Sequence, residues 1–320
     1  MPERYHRELP VPEAADGMRL DQFLARRFRD RSRSWFARGI REQLVCDEQD
    51  RPLRASVRVR TGDILKVYLP GIAPDGPPPP HPPVLHTDPR VVVVDKPAGL
   101  LAHPTGTRFA WSVVGLARDK WPTEHVDLAH RLDRDTSGAI LLTRDPDANR
   151  FLKAAIKAGQ LHKEYEAICK GTIPWSRCDL TGPIGSADGP IRIQMAVRSD
   201  GLPAHTEVHV LDRQDGLTHV RCILHTGRTH QIRVHLAHAG FPLLGDRMYG
   251  VPPEVFLRTL DHGPDAVVVE AAGAPRQALH ARRVTFPHPD GHDVSVEAPL
   301  AADMRRWWAA PSCLPHDTST

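Results

Sequence analysis

Apolar residues at Met18, Leu20, Phe23, Leu24 and Phe28 recur at three- to five-residue intervals, a pattern that predicts a helix with one buried face. A second predicted helix carries Trp35, Phe36 and Ile40, and Ser32 or Ser34 is placed to cap it. Val57-Arg58-Val59-Arg60 alternates as a strand, and Ile64 to Leu69 gives another beyond the turn Thr61-Gly62-Asp63. Behind a polar lead-in at 1–15, these elements predict a small α+β unit over residues 17–70. Residues 71–83 hold Pro77–Pro80, Pro82 and Pro83, a composition that favours extended geometry and a semi-rigid spacer. The domain boundary is placed there.

A second unit is expected over residues 84–308, with a disordered tail at 309–320. Val91–Val94 is a short apolar strand ended by Asp95-Lys96-Pro97-Ala98-Gly99. Ile140–Leu142 is another, directly after a crowded polar stretch. A helix from Asp145 to Lys157 puts Phe151, Leu152, Ala155 and Ile156 on one face. Strands follow at Lys163–Ile168, Ile191–Met195, Thr206–Leu211 and His219–Leu224, then a helix over Arg228–Ala239. Val284–Phe286 and Val294–Glu297 form a hairpin around Pro289-Asp290-Gly291. Strands outnumber helices, so the fold class is α+β with a mixed, largely antiparallel sheet.

Composition changes little: 320 residues, 40% apolar and 25% charged, are ordinary for a globular protein. The charge distribution changes more. Net charge is only +3, yet between Leu24 and Gln43 lie Arg26, Arg27, Arg29, Arg31, Arg33, Arg38 and Arg41 against Asp30 and Glu42. Arginine suits bidentate phosphate contacts, and Trp35 and Phe36 interleave with the cations. Nucleic acid is therefore the expected partner of the first unit. The five cysteines are scattered, with no Cys-x-x-Cys pair, which predicts neither disulfides nor a zinc ribbon and fits a reducing cytoplasm. The charged N-terminus has no apolar leader, and no apolar run approaches the roughly 18–20 residues of a membrane span, so no membrane partner is expected.

Chemistry concentrates in His130-Arg131-Leu132-Asp133-Arg134-Asp135-Thr136-Ser137-Gly138. Metal binding is weighed first because histidine is abundant. His230 and His235 lie five apart, about 140° around a helix, and share no face; no His-Glu-x-x-His pattern occurs. Ser137 lacks the Gly-x-Ser-x-Gly elbow of a hydrolase. The carboxylates are better candidates. An aspartate that attacks carbon must stay ionised while partly dehydrated, and a close arginine achieves that. Arg131, Arg134, Arg228 and Arg233 are available. Residue by residue, Asp133 and Asp135 could equally cap the turn.

His130-Arg131-Leu132-Asp133 with Thr136-Ser137-Gly138 closely resembles the active-site motif of RluA-type RNA pseudouridine synthases. Asp95–Leu100, Lys163-Glu164-Tyr165, Thr226–His235, Phe241–Asp246 and Gln277–Ala281 resemble further family segments, in the expected order. Arg19–Leu24 with Ser32-Arg33-Ser34 resembles an S4-like, αL-type RNA-binding domain. There the family's usual glycine–valine–asparagine–glycine stretch is replaced near Gln43–Arg51.

The resemblance implies the pseudouridine synthase fold and isomerisation of uridine without cofactor or metal. It implies Asp133 as the catalytic aspartate, Arg233 as its partner and Tyr165 as the tyrosine that stacks on uracil. It selects Asp133 over Asp135, which is left a turn or capping role. RNA contacts are expected from Arg131, which would help open the target nucleotide, and from Arg26, Arg27, Arg33, Arg38 and Arg228. The expected substrate is large-subunit (23S) ribosomal RNA, the expected state a cytoplasmic monomer. The competing readings are a transfer RNA enzyme and a non-catalytic RNA-binding or ribosome-assembly protein of the same fold.

Overall fold

A computed structural model describes residues 7–28, 32–68, 79–103, 111–262 and 264–311. The chain divides into two compact units: Met1–Pro82 with Leu100–Leu128 and Thr143–Pro146, and Pro83–Gly99 with Ala129–Leu142 and Asp147–Thr320.

The first unit opens with β1 (Arg7–Pro10), where the sequence pattern suggested only a polar lead-in. Helices α1 (Leu20–Arg27) and α2 (Arg33–Arg41) follow, then β2 (Val45–Asp47) and β3 (Ile64–Val67). β3 takes the centre of an antiparallel sheet, facing Arg7–Pro10 on one side and Val45–Asp47 on the other. Of the two candidate caps, Ser32 is the one used: its hydroxyl accepts from Trp35 N at 3.2 Å. Asp21, almost fully buried, accepts from Arg19 and from Arg33 Nε at 2.9 Å and so ties the starts of the two helices together. Leu20, Leu24, Phe28, Phe36 and Ile40 form the core with Val45, Leu65 and Val67. The expected strand at Val57–Arg60 is reduced to a single bridge between Arg58 and Arg19. Beside it lies the chain entering α1, with Val59 bonded to Gly17 and Met18.

The second unit begins with β4 (Val84–Thr87) and β5 (Val91–Lys96). Next in the chain, α3 (Val113–Lys120) and β6 (Asp127–Leu128) belong to the first unit. The chain continues through β7 (Ser137–Thr143), α4 (Pro146–Lys157), β8 (His162–Lys170) and β9 (Arg177–Leu180). The short pair β10 (Ile184–Ser186) and β11 (Met195–Val197) precedes β12 (Thr206–Gln214), β13 (Leu217–Leu224) and α5 (Gln231–His238). Last come α6 (Pro253–His262), α7 (Ala266–Ala272), β14 (Leu279–Pro287), β15 (Asp293–Glu297) and α8 (Ala302–Ala309).

The sheet runs β4-β5-β7-β14-β8-β13-β12-β9, with β15 on the far part of β14. β14 lies parallel to β7 and antiparallel to β8 and β15, so the sheet is mixed and largely antiparallel, as expected. Every residue of β7 is buried, which explains its continuous apolar run.

Three expectations in the second unit need correction. Phe151 of α4 is 41% exposed; the buried stripe is Ala148, Leu152 and Ala155, spaced four and three apart. Ile191–Gln194 is a turn, and the strand there is Met195–Val197, paired with Ile184–Ser186. The helix expected from Arg228 starts at Gln231, because His230 sits in the left-handed region at φ 57° and breaks the run. Helices α3, α6, α7 and α8 were not anticipated. Most of the proline-rich spacer and the tail from residue 312 lie outside the described residues. Among the described residues, no helix is long and apolar enough to cross a membrane.

Candidate active site

The polar stretch before β7 folds as a turn, Thr136 N donating to the Asp133 carbonyl at 3.2 Å. Two features fix it to the sheet. Gly138, at φ 109°, passes so close to β14 that a side-chain carbon there would lie 2.3 Å from the Ala281 carbonyl oxygen, so only glycine fits. The fully buried Lys96, at the end of β5, donates from Nζ to the Arg134 carbonyl at 2.8 Å and to the Pro97 carbonyl at 3.0 Å. Burial pulls the Lys96 ammonium down to about 7, with Asp135 and Asp133 partly offsetting it.

The segment before β14 grips the same turn from behind. Gln277 Nε2 donates to Thr136 Oγ1 at 3.0 Å and to Asp133 Oδ2 at 3.5 Å. Arg276 Nη1 donates to the Asp135 carbonyl at 3.1 Å and Nη2 to Ser137 Oγ at 3.3 Å. Its guanidinium is held in turn by Asp303 of α8, at 2.7 and 2.8 Å, and lies 5.5 Å from the Trp307 ring centre.

These contacts present Asp133 half-buried, its side chain 29% exposed. Arg233, on the first turn of α5, donates from Nη1 to Asp133 Oδ2 at 3.0 Å. The other edge of that guanidinium is bidentate on Asp246, Nε to Oδ2 at 2.7 Å and Nη2 to Oδ1 at 2.8 Å. Asp246 is 1% exposed and also accepts from Met248 N and Tyr249 N, so the arginine is fixed before Asp133 uses it. Burial opposes the charge on Asp133, but the Arg233 guanidinium foremost, with His230 and the Gln277 amide, together outweigh burial and hold the carboxyl below the usual carboxylate range. His230 bonds Tyr249 Oη through Nδ1 at 2.9 Å, and burial, with Arg233 beside it, keeps its imidazole below its usual value. The result is an ionised carboxylate with a dehydrated cation on one side and an open face on the other.

Tyr165 of β8 is 6% exposed. Burial and then the Asp133 charge push its hydroxyl well above the ordinary phenol range, so it is neutral and protonated at pH 7. Asp133 is thus paired with Arg233 and its charge is felt by Tyr165, although the three come from separate elements. Arg131 is exposed beside the turn. Arg228 is half-buried and donates from Nε to the Pro203 carbonyl at 2.9 Å. In the first unit Arg26 and Arg38 are exposed, and Arg33 is engaged with Asp21. Arg27 points within its own unit, to the Arg118 carbonyl at 3.1 Å and to Asp119 at 3.8 Å.

Asp135 does not cap the turn; its carboxylate pairs with Arg247 and lies 3.7 Å from Arg134. Ser137 does meet a histidine, His280 Nδ1 at 2.9 Å, but both are buried, 4% and 0% exposed, and Arg276 shares the hydroxyl. That pair braces the β7–β14 junction. His235 is bonded to Thr206 and the Gly182 carbonyl, and among the described residues no group of histidines, cysteines and carboxylates could hold a metal ion. Sequence reasoning gave no role to Asp246, Gln277, Lys96, Arg276 or Asp303. Asp246, Gln277 and Lys96 stood inside quoted segments, and Arg276 and Asp303 carried no local signal.

The profile of RNA pseudouridylate synthases matches residues 90–238. A protein of Xanthomonas campestris named ribosomal large subunit pseudouridine synthase D is 35% identical, over 95% of this chain and 92% of its own length. One of the same name from Pseudomonas aeruginosa is 34% identical, over 95% of each chain. Among solved structures, human RNA pseudouridylate synthase domain containing 4 superposes with a TM-score of 0.54 at 26% identity, covering 69% of this chain and 90% of that one. Human RNA pseudouridylate synthase domain containing 1, at 23% identity and a TM-score of 0.54, shares the fold. Resemblance over nearly the whole chain, joined to an ionised aspartate set beside a buried arginine, makes this protein a member of the RluA-type RNA pseudouridylate synthase family, isomerases that convert uridine to pseudouridine in RNA.

Proposed function

We propose that the chain isomerises uridines of large-subunit ribosomal RNA, with Asp133 as the reacting carboxylate, Arg233 keeping it ionised and Tyr165 against the uracil ring. The observation that carries this is the 3.0 Å pair between Asp133 and an arginine already locked on Asp246. The reaction breaks the bond between ribose carbon 1′ and uracil nitrogen 1 and forms one from carbon 1′ to carbon 5; carbon 5 loses its proton to water and nitrogen 1 gains one, so the composition is unchanged. It is redox-neutral and needs no electron carrier, and the reading, following the family resemblance, assigns no cofactor or metal. The base must leave its stack, at a cost of a few kcal/mol. Arg131, exposed beside the turn, is assigned to the opened strand. Support for the ribosomal substrate comes from the two bacterial relatives, both named for the large ribosomal subunit. The reading includes a monomer acting in the cytoplasm.

Two experiments test it. Tritium should be released from RNA labelled at uridine carbon 5 when the purified protein is added; no release from any cellular RNA would remove the activity. Pseudouridine mapping with and without the gene should show the loss in large-subunit ribosomal RNA. Loss confined to transfer RNA would transfer the substrate assignment there.

Residues 17–70 are proposed as an S4-like RNA-binding unit, 71–83 as its spacer, 84–308 as the catalytic part and 309–320 as a tail. Arg26 and Arg38, with Arg33, Arg27 and Arg228 contributing less because Asp21 or backbone carbonyls already occupy them, are assigned to RNA phosphates. Replacing Arg26 and Arg38 together by alanine should flatten the slope of log affinity against log salt by about one to two. Filter binding across a salt series measures it, and an unchanged slope would reject the assignment.

A further inference from the structure

We propose that Lys163 is a binding residue for a backbone phosphate of the RNA strand, at the rim of the Asp133 centre. The proposal rests on RNA being the substrate, as the family has it, and not on which RNA.

Lys163 lies on β8 two residues before Tyr165, and alternate strand positions face the same side of a sheet. Its ammonium reaches the loop that leads into α5: a side-chain carbon on Gly227 would sit 3.1 Å from Nζ. The imidazole of His130, three residues before Asp133, also feels the Lys163 charge. Lys163 therefore lies against the loop that delivers Arg233, near enough to the Asp133 turn for its charge to be felt there.

The side chain is half-buried, yet among the described residues its ammonium has neither an ion pair nor a hydrogen bond. Every other buried cation of this unit described above is compensated. Arg233 has Asp133 and Asp246, Arg276 has Asp303, and Lys96 has two carbonyls. At Lys163 only burial acts, lowering its basicity, and no carboxylate opposes it. His130 adds no charge of either sign, since burial first and Lys163 second push it down to about 3 and keep its imidazole neutral. A dehydrated, uncompensated cation destabilises a fold. Beside a site that must take in a polyanion, its partner is a phosphate oxygen, which a lysine contacts as a point charge. The small residue at 227 leaves the approach to Nζ open.

The test uses full-length protein and RNA extracted from cells lacking the gene. Lys163→Met should raise KM by about tenfold and make the log–log salt slope shallower by about one, the signature of one lost phosphate contact. The turnover rate at saturating RNA should stay within about threefold, because the group does not touch the reacting atoms. The thermal midpoint should stay level or rise, since an unpaired buried charge is removed. Lys163→Arg should keep the wild-type salt slope. A salt slope unchanged in Lys163→Met would overturn the proposal. So would a lower turnover rate at unchanged KM, which would put the ammonium on the base, or a lower thermal midpoint, which would reveal a native partner. The salt slope is read from binding alone, so it decides the question even where the RNA is not turned over.

Discussion

Asp133→Asn should lose at least about a thousandfold in tritium release, because it removes the reacting charge and little else. Asparagine has the shape of aspartate and can still accept from Arg233. The arginine would remain where it is, because Asp246 holds it at 2.7 and 2.8 Å independently of Asp133. The pocket should therefore persist, and RNA affinity should stay within about threefold. Asp135→Asn is the informative comparison. That carboxylate is occupied by Arg247 and Arg134, so its loss should reduce stability more than turnover. Rates from single-turnover assays, with affinities from filter binding, distinguish the two. An Asp133→Asn enzyme within about tenfold of wild type would remove Asp133 from the chemistry.

Arg233→Met should damage both stability and chemistry, for separable reasons. It strands Asp246, 1% exposed, without its counter-charge, a change that costs about 3–5 kcal/mol when one partner of a buried pair is deleted. Urea unfolding measures that loss. Adding Asp246→Leu removes the stranded charge, so the double variant should recover part of the stability and none of the activity. The chemical effect has a definite sign. Burial favours the neutral form of Asp133, and Arg233 reverses that preference. Without the guanidinium burial prevails, the carboxyl titrates higher, and the acidic limb of the turnover-rate profile should move to higher pH by at least about one unit. A limb that stays in place would show that Asp133 is kept ionised by something other than Arg233.

Much of this site was legible in the chain, but unevenly. Strands with a strong apolar run, such as β5 and β7, and the β14–β15 hairpin with its Pro-Asp-Gly turn, stood where the pattern put them. Val57–Arg60 did not, because alternation says nothing about whether a neighbouring strand exists. β1 was missed because four residues, Arg-Glu-Leu-Pro, carry too little pattern to be distinguished from a lead-in. Asp133, Tyr165 and Arg233 were picked by resemblance; local physics asked only for some arginine near some aspartate. Asp246 could not be chosen that way, since its importance lies in a bidentate contact 13 residues back along the chain, across the end of a helix. Lys163 was visible as half of a Lys-x-Tyr pair. Only three-dimensional placement shows that it lacks the counter-charge the other buried cations have.

The hold on the turn from Arg276 has a consequence for how the enzyme comes into being. Arg276 lies 141 residues after Asp135, and Asp303, which fixes it, another 27 residues on. A ribosome adding about 5–20 residues per second needs on the order of ten seconds to cover the first of those intervals. Throughout that time the nascent chain exposes Asp133 on a turn that lacks its Gln277 and Arg276 braces. The growing polypeptide is thus expected to be inert toward the ribosome that is making it. It becomes competent only when α8 has emerged from the exit tunnel and closed on Arg276.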